Sequence, residues 1–259
     1  MVGAMGHRAA VSAVGEGRWH GKVVAVTGSS SGIGEGTARA FAEAGASVLV
    51  NSARSVAQGE AVAASLPGAL YVQGDIAEAG APERLVAAAL ERWGRLDVLV
   101  NNAGTTALIP HQDLEAASVD VWRHIFEVNV FGTWAMSVAA MAALREAHGA
   151  IVNVTSIAGV RPTGSSIPYA ASKAALNHLT VLLAKVAGPE VRVNAVAPGL
   201  IDTPWTQDWD VVREVVGQVA PLKRSGRPED VAQVILDVAG SGYMTGQVVV
   251  VDGGLTIAT

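Results

Sequence analysis

Cysteine is absent from the 259-residue sequence, and aromatic residues make up only 5% of it. Without cysteine the chain can form neither disulfide bonds nor thiolate metal sites. Its six histidines are scattered and lack the H-x-x-x-H spacing of a zinc site, so no bound metal is expected. Half of the residues are apolar, and alanine and valine must therefore supply much of the core.

The chain also lacks a cluster of basic residues, and its net charge is −5. Nucleic acid is therefore not an expected partner. No apolar run approaches the roughly 18 residues that span a bilayer, so no membrane partner is expected either. Residues 1–20 lack a signal-peptide pattern and are interpreted as a flexible tail before a single domain over residues 21–259. Together these features predict a cytoplasmic protein.

Short apolar runs alternate along the chain with longer stretches typical of helices. The runs predict strands at 22–28, 46–51, 69–75, 96–104, 150–156, 191–199 and 246–254. The longer stretches predict helices at 33–45, 56–65, 82–93, 118–147 and 168–187. This alternation implies right-handed crossovers and a parallel sheet, and the continuously apolar strands indicate helices on both faces. The predicted fold is α/β, a single doubly wound Rossmann-type domain with a seven-stranded parallel sheet.

A glycine- and serine-rich segment, TGSSSGIG, follows the first predicted strand at 27–34. Glycine lets the backbone approach a ligand closely, and the helix N-terminus that follows attracts phosphate. The spacing is G-x-x-x-G-x-G rather than G-x-G-x-x-G, and a βα turn without a ligand would also explain it. The position after strand one favours a dinucleotide cofactor. The candidate contacts are Gly28, Ser30, Ser31, Gly32, Ile33 and Gly34.

Further motifs follow in a fixed order. They are NNAG at 101–104, VTS ending at Ser156, YAASK at 169–173 and APG at 197–199. With TGSSSGIG, they resemble the short-chain dehydrogenase/reductase family, and 3-oxoacyl-carrier-protein reductases within it. The resemblance runs from about Lys22 to Gly254, nearly the whole chain. It implies hydride transfer between a nicotinamide cofactor and a small-molecule ketone or secondary alcohol.

The resemblance also implies roles for four residues. Tyr169 would be the general acid/base, and Ser156 would bind and orient the substrate oxygen. Lys173 lies four residues after Tyr169, on the same helix face, where a cation would lower the tyrosine pKa; it would also bind the nicotinamide ribose. Asn129, in FEVNVFG, would hold a water of the proton relay. Taken alone, the Tyr–Lys pair could equally be a surface pair on a helix.

The end of the second strand bears on cofactor choice. In a Rossmann site a carboxylate at this place binds the ribose hydroxyl of NAD, yet VLVNSARS at 48–55 contains none. Arg54 instead offers a planar cation to a phosphate. We expect NADP(H), with Asn51, Ser52 and Arg54 around the phosphate. NAD(H) stays possible, because Ser31 stands where many NADP-using relatives carry a basic residue.

Other cofactor contacts are implied by the resemblance alone. Asp75 and Ile76, after strand three, would meet the adenine, although Asp75 could simply cap a helix. In the alternative interpretation, the NNAG segment after strand four and the APG segment after strand six are plain turns without a ligand. The remaining implied contacts are Asn102, Ala103, Gly104, Tyr169, Lys173, Pro198, Gly199, Ile201 and Thr203.

The segment 204–216 stands where this family carries its substrate lid. Trp205 and Trp209 could form an apolar wall or could anchor the loop to the domain. Apolar residues on more than one face of the helices near 122–145 and 169–187 predict a subunit contact. A homotetramer is expected, with a dimer as the second choice.

Two other functions are carried as alternatives. One is a dinucleotide-binding regulator without catalysis, which predicts a broken reaction set. The other is an epimerase or dehydratase on the same scaffold, which commonly has an added substrate domain after the sheet. The complete set of reaction residues and the short segment after strand seven favour the oxidoreductase.

Overall fold

The computed structural model describes residues 17–258. Its strands form one seven-stranded parallel sheet in the order β3-β2-β1-β4-β5-β6-β7. The strands are β1 Val23–Val26, β2 Ser47–Ser52, β3 Leu70–Gln73, β4 Val98–Asn101, β5 Ala150–Val154, β6 Arg192–Pro198 and β7 Val248–Val251. The α-helices are α1 Gly32–Glu43, α2 Val56–Ala64, α3 Ala81–Trp93, α4 Val119–Phe126, α5 Thr133–Ala147, α6 Ile167–Ala187, α7 Asp210–Val219, α8 Pro228–Gly240 and α9 Leu255–Ala258.

The sheet is buried on both faces because its strands are apolar at every position. In β1, Val24 and Val26 join the core cluster that contains Phe41 of α1 and Ile235 of α8. Val23 and Ala25 point the opposite way, into the cluster beneath α3, α5 and α6. Alternate residues of one strand thus serve two cores. The predicted fold class is confirmed.

Strand order reverses between β1 and β4, which pair with each other although β2 and β3 extend the sheet on the far side of β1. Ligands bind outside the carboxyl ends of strands at such a switch point. A cavity of about 890 Å³ lies there, lined by residues from the segments that follow β1, β2, β3, β4, β5 and β6.

Three α-helices, α7, α8 and α9, and one helical distortion are absent from the sequence-based assignment. The segment 118–147 contains a π-helical turn, Glu127–Gly132, between α4 and α5. Helix α7 forms within the predicted lid, and α8 packs along α1. The valines of α7 and the Pro-Glu-Asp start of α8 are helix signals that were available in the sequence.

One segment corrects the expectation about membrane-spanning runs. The 29 helical residues Val119–Ala147 are long and apolar enough to span a bilayer by length and composition. A core helix meets the same criterion, and α5 contacts β4 and α3 through buried residues that include Met136 and Leu144. The buried part of the segment, 39% of its most apolar stretch, thus belongs to the core.

The last four residues of the predicted flexible tail, 17–20, are part of the described fold. Residues 17–20 form a turn in which Trp19 is buried, with its ring 4.8 Å from that of Phe41 and nearly perpendicular to it. Such an edge-to-face pair stabilises the packing beyond the area it buries. Residues 1–16 of the predicted tail lie outside the described residues.

Candidate active site

The glycine-rich segment forms a tight turn between β1 and α1. Gly28 and Gly32 have positive φ, which glycine adopts without strain. A Cβ on Gly34 would collide with the carbonyl oxygen of Gly28 and with the side chain of Asn102. The N-cap residue of α1, Ser31, makes no capping hydrogen bond with its side chain. The turn thus leaves the helix N-terminus open to an anion and fits a dinucleotide phosphate.

Asn51 and Ser52 have their side-chain hydrogen-bonding groups directed into the protein. Asn51 is buried, accepts from the Gly28 amide at 3.3 Å, and donates to the carbonyl oxygens of Val72 at 3.1 Å and Gly74 at 3.0 Å. The Ser52 hydroxyl contacts the Tyr71 hydroxyl at 2.8 Å and donates to the carbonyl of Ser55 at 3.0 Å. Both residues border the cavity, but these bonds hold the β2 end in place.

Arg54 remains as the cation at this end of the cavity. It is exposed, lines the cavity, and its guanidinium makes no hydrogen bond or ion pair with any of residues 17–258. No carboxylate lies among the lining residues 51–55, which form the end of β2 and the segment just after it. The predicted phosphate contacts therefore reduce to the Arg54 guanidinium.

Asp75 and Ile76 line the cavity after β3. One oxygen of Asp75 accepts from the Ala77 amide at 3.0 Å, which is a local turn bond rather than the helix cap of the alternative interpretation, because the N-cap residue of α3 is Gly80. Ile76 is buried, and a side chain on Gly132 would collide with it. Asp75 thus holds its own turn while its position borders the cavity.

Asn102 supports the glycine turn from the neighbouring strand end. Its amide nitrogen donates to the carbonyl oxygens of Thr27 at 3.0 Å and Gly28 at 2.9 Å. The Thr27 hydroxyl in return accepts from the backbone amides of Asn102 and Ala103, each at 3.0 Å. A Cβ on Gly28 would lie 2.8 Å from the Ala103 Cα, so only glycine permits this close approach.

Ser156, Tyr169 and Lys173 come together in the cavity. Ser156 does not follow β5 directly but comes two residues after its end, and its hydroxyl accepts from the Ala158 amide at 3.1 Å and lies close enough to Tyr169 to lower the pKa of the tyrosine. Tyr169 lies in the first turn of α6, whose N-cap is the hydroxyl of Ser166. One turn further on, the Lys173 amine lies 5.7 Å from the Tyr169 ring centre.

The pKa of Tyr169 shifts in the direction opposite to the one expected from sequence. Burial raises the pKa of its hydroxyl, and the hydrogen bond with Ser156 only partly offsets this. The Lys173 amine is itself buried, donates to the Val154 carbonyl oxygen at 3.0 Å, and has its pKa lowered by burial to about 8. In this structure desolvation, rather than the lysine charge, therefore dominates the tyrosine pKa.

Asn129 lies behind the cavity rather than in its lining. It belongs to the π-helical turn, a distortion often found at functional sites. Its side-chain oxygen accepts from the Thr105 amide at 2.7 Å, and its nitrogen donates to the Thr105 carbonyl and the Ser172 hydroxyl, each at 3.0 Å. The amide thus clamps the segment after β4 against α6. Gly34 is the other predicted contact that lies outside the lining.

The segment after β6 closes the cavity from above the glycine turn. Pro198, Gly199, Leu200 and Ile201 line it, and Thr203 lies so near Gly32 that a Cβ there would be 3.2 Å from its methyl group. The 3₁₀ turn Pro204–Thr206 follows, and α7 continues the wall.

Arg213 of α7 fixes this wall and was not predicted. Its guanidinium donates to Asp202 at 2.8 Å, to Asp210 at 2.7 Å and to the Thr206 carbonyl at 3.0 Å. Asp202 also accepts from the Ser225 hydroxyl at 2.7 Å. The arginine thereby joins α7 to the turn that carries Trp205.

Other lining residues carry no sequence motif. Leu108, His124 and Val128 border the cavity from the segment after β4 and from the α4 region. Val128 precedes Asn129 in FEVNVFG and Leu108 lies four residues after NNAG, but only the folded chain shows that they line the cavity. Arg161, in the loop before α6, is exposed and absent from the lining. Along residues 17–258, no group of three or more histidine, aspartate or glutamate side chains could hold a metal ion.

Comparisons with known proteins agree with this arrangement. A family model described as Enoyl-(Acyl carrier protein) reductase matches residues 28–256. A Streptomyces violaceoruber protein named as ketoacyl reductase 2 of granaticin polyketide synthase is 58% identical over 236 residues, 90% of this chain and 95% of that protein. The 3-oxoacyl-(acyl-carrier-protein) reductase FabG of Thermotoga maritima is 40% identical over 93% of this chain and all of its own length. A Burkholderia xenovorans structure, named as a short-chain dehydrogenase/reductase, superposes with a TM-score of 0.86 at 36% identity over 91% of this chain and 98% of its own.

Proposed function

The chain belongs to the short-chain dehydrogenase/reductase family of oxidoreductases, and from this premise we propose that it reduces a ketone to a secondary alcohol, or the reverse, with a nicotinamide cofactor. The observation that carries the proposal is that Ser156, Tyr169 and Lys173 line the same cavity as the open glycine turn.

The residues have distinct tasks in the proposed reaction. The bound cofactor supplies or accepts the hydride. Tyr169 gives its proton to the carbonyl oxygen as negative charge develops there, and Ser156 donates a hydrogen bond to the same oxygen. Because the pKa of Tyr169 is raised, its hydroxyl is protonated at neutral pH, which is the form that reduction needs.

Lys173 and Asn129 support these groups. With a pKa of about 8, the Lys173 amine is mostly protonated at neutral pH, and it holds this charge beside Tyr169. Besides the Val154 carbonyl, it has donors left for a ribose hydroxyl of the cofactor. Asn129 fixes the Thr105 backbone, and its side-chain oxygen keeps one acceptor site for a water of the proton relay.

We favour NADP(H) over NAD(H). Support comes from the unpaired Arg54 guanidinium at the β2 end and from the absence of a carboxylate among lining residues 51–55. A guanidinium binds phosphate through parallel hydrogen bonds. The other cofactor contacts follow the lining, with Asp75 and Ile76 toward the adenine and Ile201 and Thr203 toward the nicotinamide.

Reduction of a carbon–carbon double bond is a second candidate, because the matching family model is described as an enoyl reductase. The two relatives named above are instead ketoacyl and 3-oxoacyl reductases. The hydroxyls of Ser156 and Tyr169 also suit a carbonyl oxygen, which must receive a proton during reduction. These points favour the carbonyl reaction.

We propose a homotetramer, with a dimer as the second choice, in the cytoplasm. Support comes from large apolar side chains that α6 and the π-helical turn with α5 leave exposed. They are Phe131, Trp134, Val138, Val181, Leu182 and Val186. A patch of this kind marks a surface for protein association.

The direct test incubates the purified protein with NADPH or NADH and either a ketone panel or an enoyl thioester, and follows loss of the reduced nicotinamide. Alcohol formation from a ketone, faster with NADPH, is expected. Exclusive reduction of the enoyl thioester would replace the proposed reaction with the second candidate. Turnover of neither would overturn both.

A further inference from the structure

The part of the cavity that is not lined by the glycine turn or the strand ends is chiefly apolar. It lies between α7, the turn before it, and the segments around Leu108 and Val128. The apolar lining residues there are Leu108, Val128, Trp205, Trp209, Val211, Val212 and Val216. Val212 and Val216 are four residues apart and therefore share one face of α7.

Trp205 stands beside the reaction centre. Its ring centre lies 6.4 Å from that of Tyr169, at an interplanar angle of 70°. This is the edge-to-face arrangement that aromatic rings prefer. The indole is 46% exposed, so much of its surface faces the cavity opening and is available to a flat ligand.

The turn that carries Trp205 is held in place by hydrogen bonds of its neighbour Thr206. The Thr206 hydroxyl donates to the Ile201 carbonyl at 2.6 Å, and the Thr206 carbonyl accepts from Arg213 at 3.0 Å. Arg213 is bonded in turn to Asp202. A wall fixed at both ends binds a rigid substrate without a large ordering cost.

The charges in the lining disfavour an anionic substrate. Over residues 17–258, Arg54 and Lys173 are the only arginine and lysine that line the cavity. Arg54 lies at the β2 end, and Lys173 is bonded to the Val154 carbonyl. Asp208 and Asp210 line the α7 side. Substrate hydroxyls placed against the valines and tryptophans would lose their hydrogen bonds to water, so this wall favours the apolar part of a substrate.

From this lining we propose that the preferred substrate is a neutral ketone with a flat, apolar, ring-containing skeleton, stacked on Trp205 and packed against Val212 and Val216. The carbonyl oxygen then points to Ser156 and Tyr169, and the rings fill the apolar part of the cavity. The proposal rests on the proposed function and assigns the substrate class of that same site.

The test compares kcat/KM, with NADPH, for β-tetralone, cyclohexanone and dihydroxyacetone. These ketones are all neutral and differ in apolar ring area and in hydroxyl content. We expect β-tetralone to exceed cyclohexanone by about tenfold or more, since the added ring buries apolar area, and dihydroxyacetone to be the poorest.

Variants locate the source of this preference. Trp205→Ala should lower the β-tetralone to cyclohexanone ratio of kcat/KM about tenfold, and Trp205→Phe should restore most of it. The ratio cancels any effect that the substitution has on Tyr169 itself. Val212→Asn should lower the ratio as well. Val215→Asn is the matched control, because Val215 is exposed on α7 outside the lining.

The outcomes separate this inference from the proposed function. The substrate class is wrong if kcat/KM for cyclohexanone or dihydroxyacetone equals that for β-tetralone, or if Trp205→Ala leaves the β-tetralone to cyclohexanone ratio unchanged. The proposed oxidoreductase function stands in either case. If no ketone is reduced and none of the corresponding alcohols is oxidised, the proposed function fails, and the substrate class with it.

Discussion

The amine of Lys173 donates a hydrogen bond to the carbonyl oxygen of Val154 at 3.0 Å and is almost fully enclosed by protein. Val154 ends β5, and Lys173 lies in α6, so the bond ties a central strand to the helix that carries Tyr169. The amine is thereby fixed at one distance from the reacting hydroxyl, and burial brings its pKa down to about 8.

Burial of Lys173 gives stability a distinct pH dependence. Between about pH 8 and 10.5 the unfolded chain binds more protons at this lysine than the folded protein does, so stability rises with pH there. Relative to Lys173→Met, wild type should gain roughly 2 kcal/mol of unfolding free energy between about pH 8 and 10. Urea unfolding at several pH values measures this. Lys185 is exposed on the same helix, so the unfolding free energy of Lys185→Met should change with pH as that of wild type does. If the difference in unfolding free energy between wild type and Lys173→Met did not change with pH, the lowered pKa of Lys173 would be contradicted.

Tyr169→Phe removes the proposed proton donor and keeps the ring against Trp205. Turnover of a ketone should fall by roughly 10²- to 10⁴-fold, while NADPH affinity stays within about twofold. Steady-state kinetics and nicotinamide fluorescence titration measure the two effects. Activity close to wild type would show that another group supplies the proton.

Arg54→Ala tests the cofactor preference. Loss of a charge-assisted phosphate contact should weaken NADPH binding roughly tenfold or more and leave NADH binding nearly unchanged. Arg161→Ala is the matched control, since Arg161 is an exposed loop arginine outside the cavity lining. Equal losses for both cofactors in the Arg54 variant would rule out a phosphate contact.

Val186→Asp probes the proposed subunit contact. Val186 is 67% exposed on α6, and a carboxylate there would be buried without a partner if this face forms an interface. Light scattering coupled to size-exclusion chromatography should give a lower molar mass for this variant than for wild type. Val215→Asp, on α7, should leave the mass unchanged, and a monomeric wild type would refute the contact.

The sequence was informative wherever chemistry depends on short spacings. The strand and helix periods predicted the sheet, and the four-residue spacing of Tyr169 and Lys173 predicted their neighbourhood on α6. The glycine turn was likewise visible, because Gly28, Gly32 and Gly34 follow a strand and open a helix.

What the sequence did not reveal depends on distant partners. The amide of Asn51 is bonded to carbonyl oxygens on the neighbouring β3 side, about 21 to 23 positions away, and no local pattern shows this. The direction of the pKa shift of Tyr169 depends on its burial by the whole fold. Helix α7 differs, since its valines repeat at helical spacing and were simply interpreted as a lid.

The buried Trp19 determines how the protein can be handled. It packs on Phe41 in the last turns of α1, whereas the glycine turn and the cavity lie at the first turn of that helix. With a rise of about 1.5 Å per residue, these points are roughly 14 Å apart along the helix. The chain therefore enters the fold at the amino-terminal end of the central strand β1, opposite the strand ends that line the cavity. An affinity tag or a surface tether attached ahead of Gly17 should leave the mouth open, so the protein can be immobilised for cofactor and ketone binding studies.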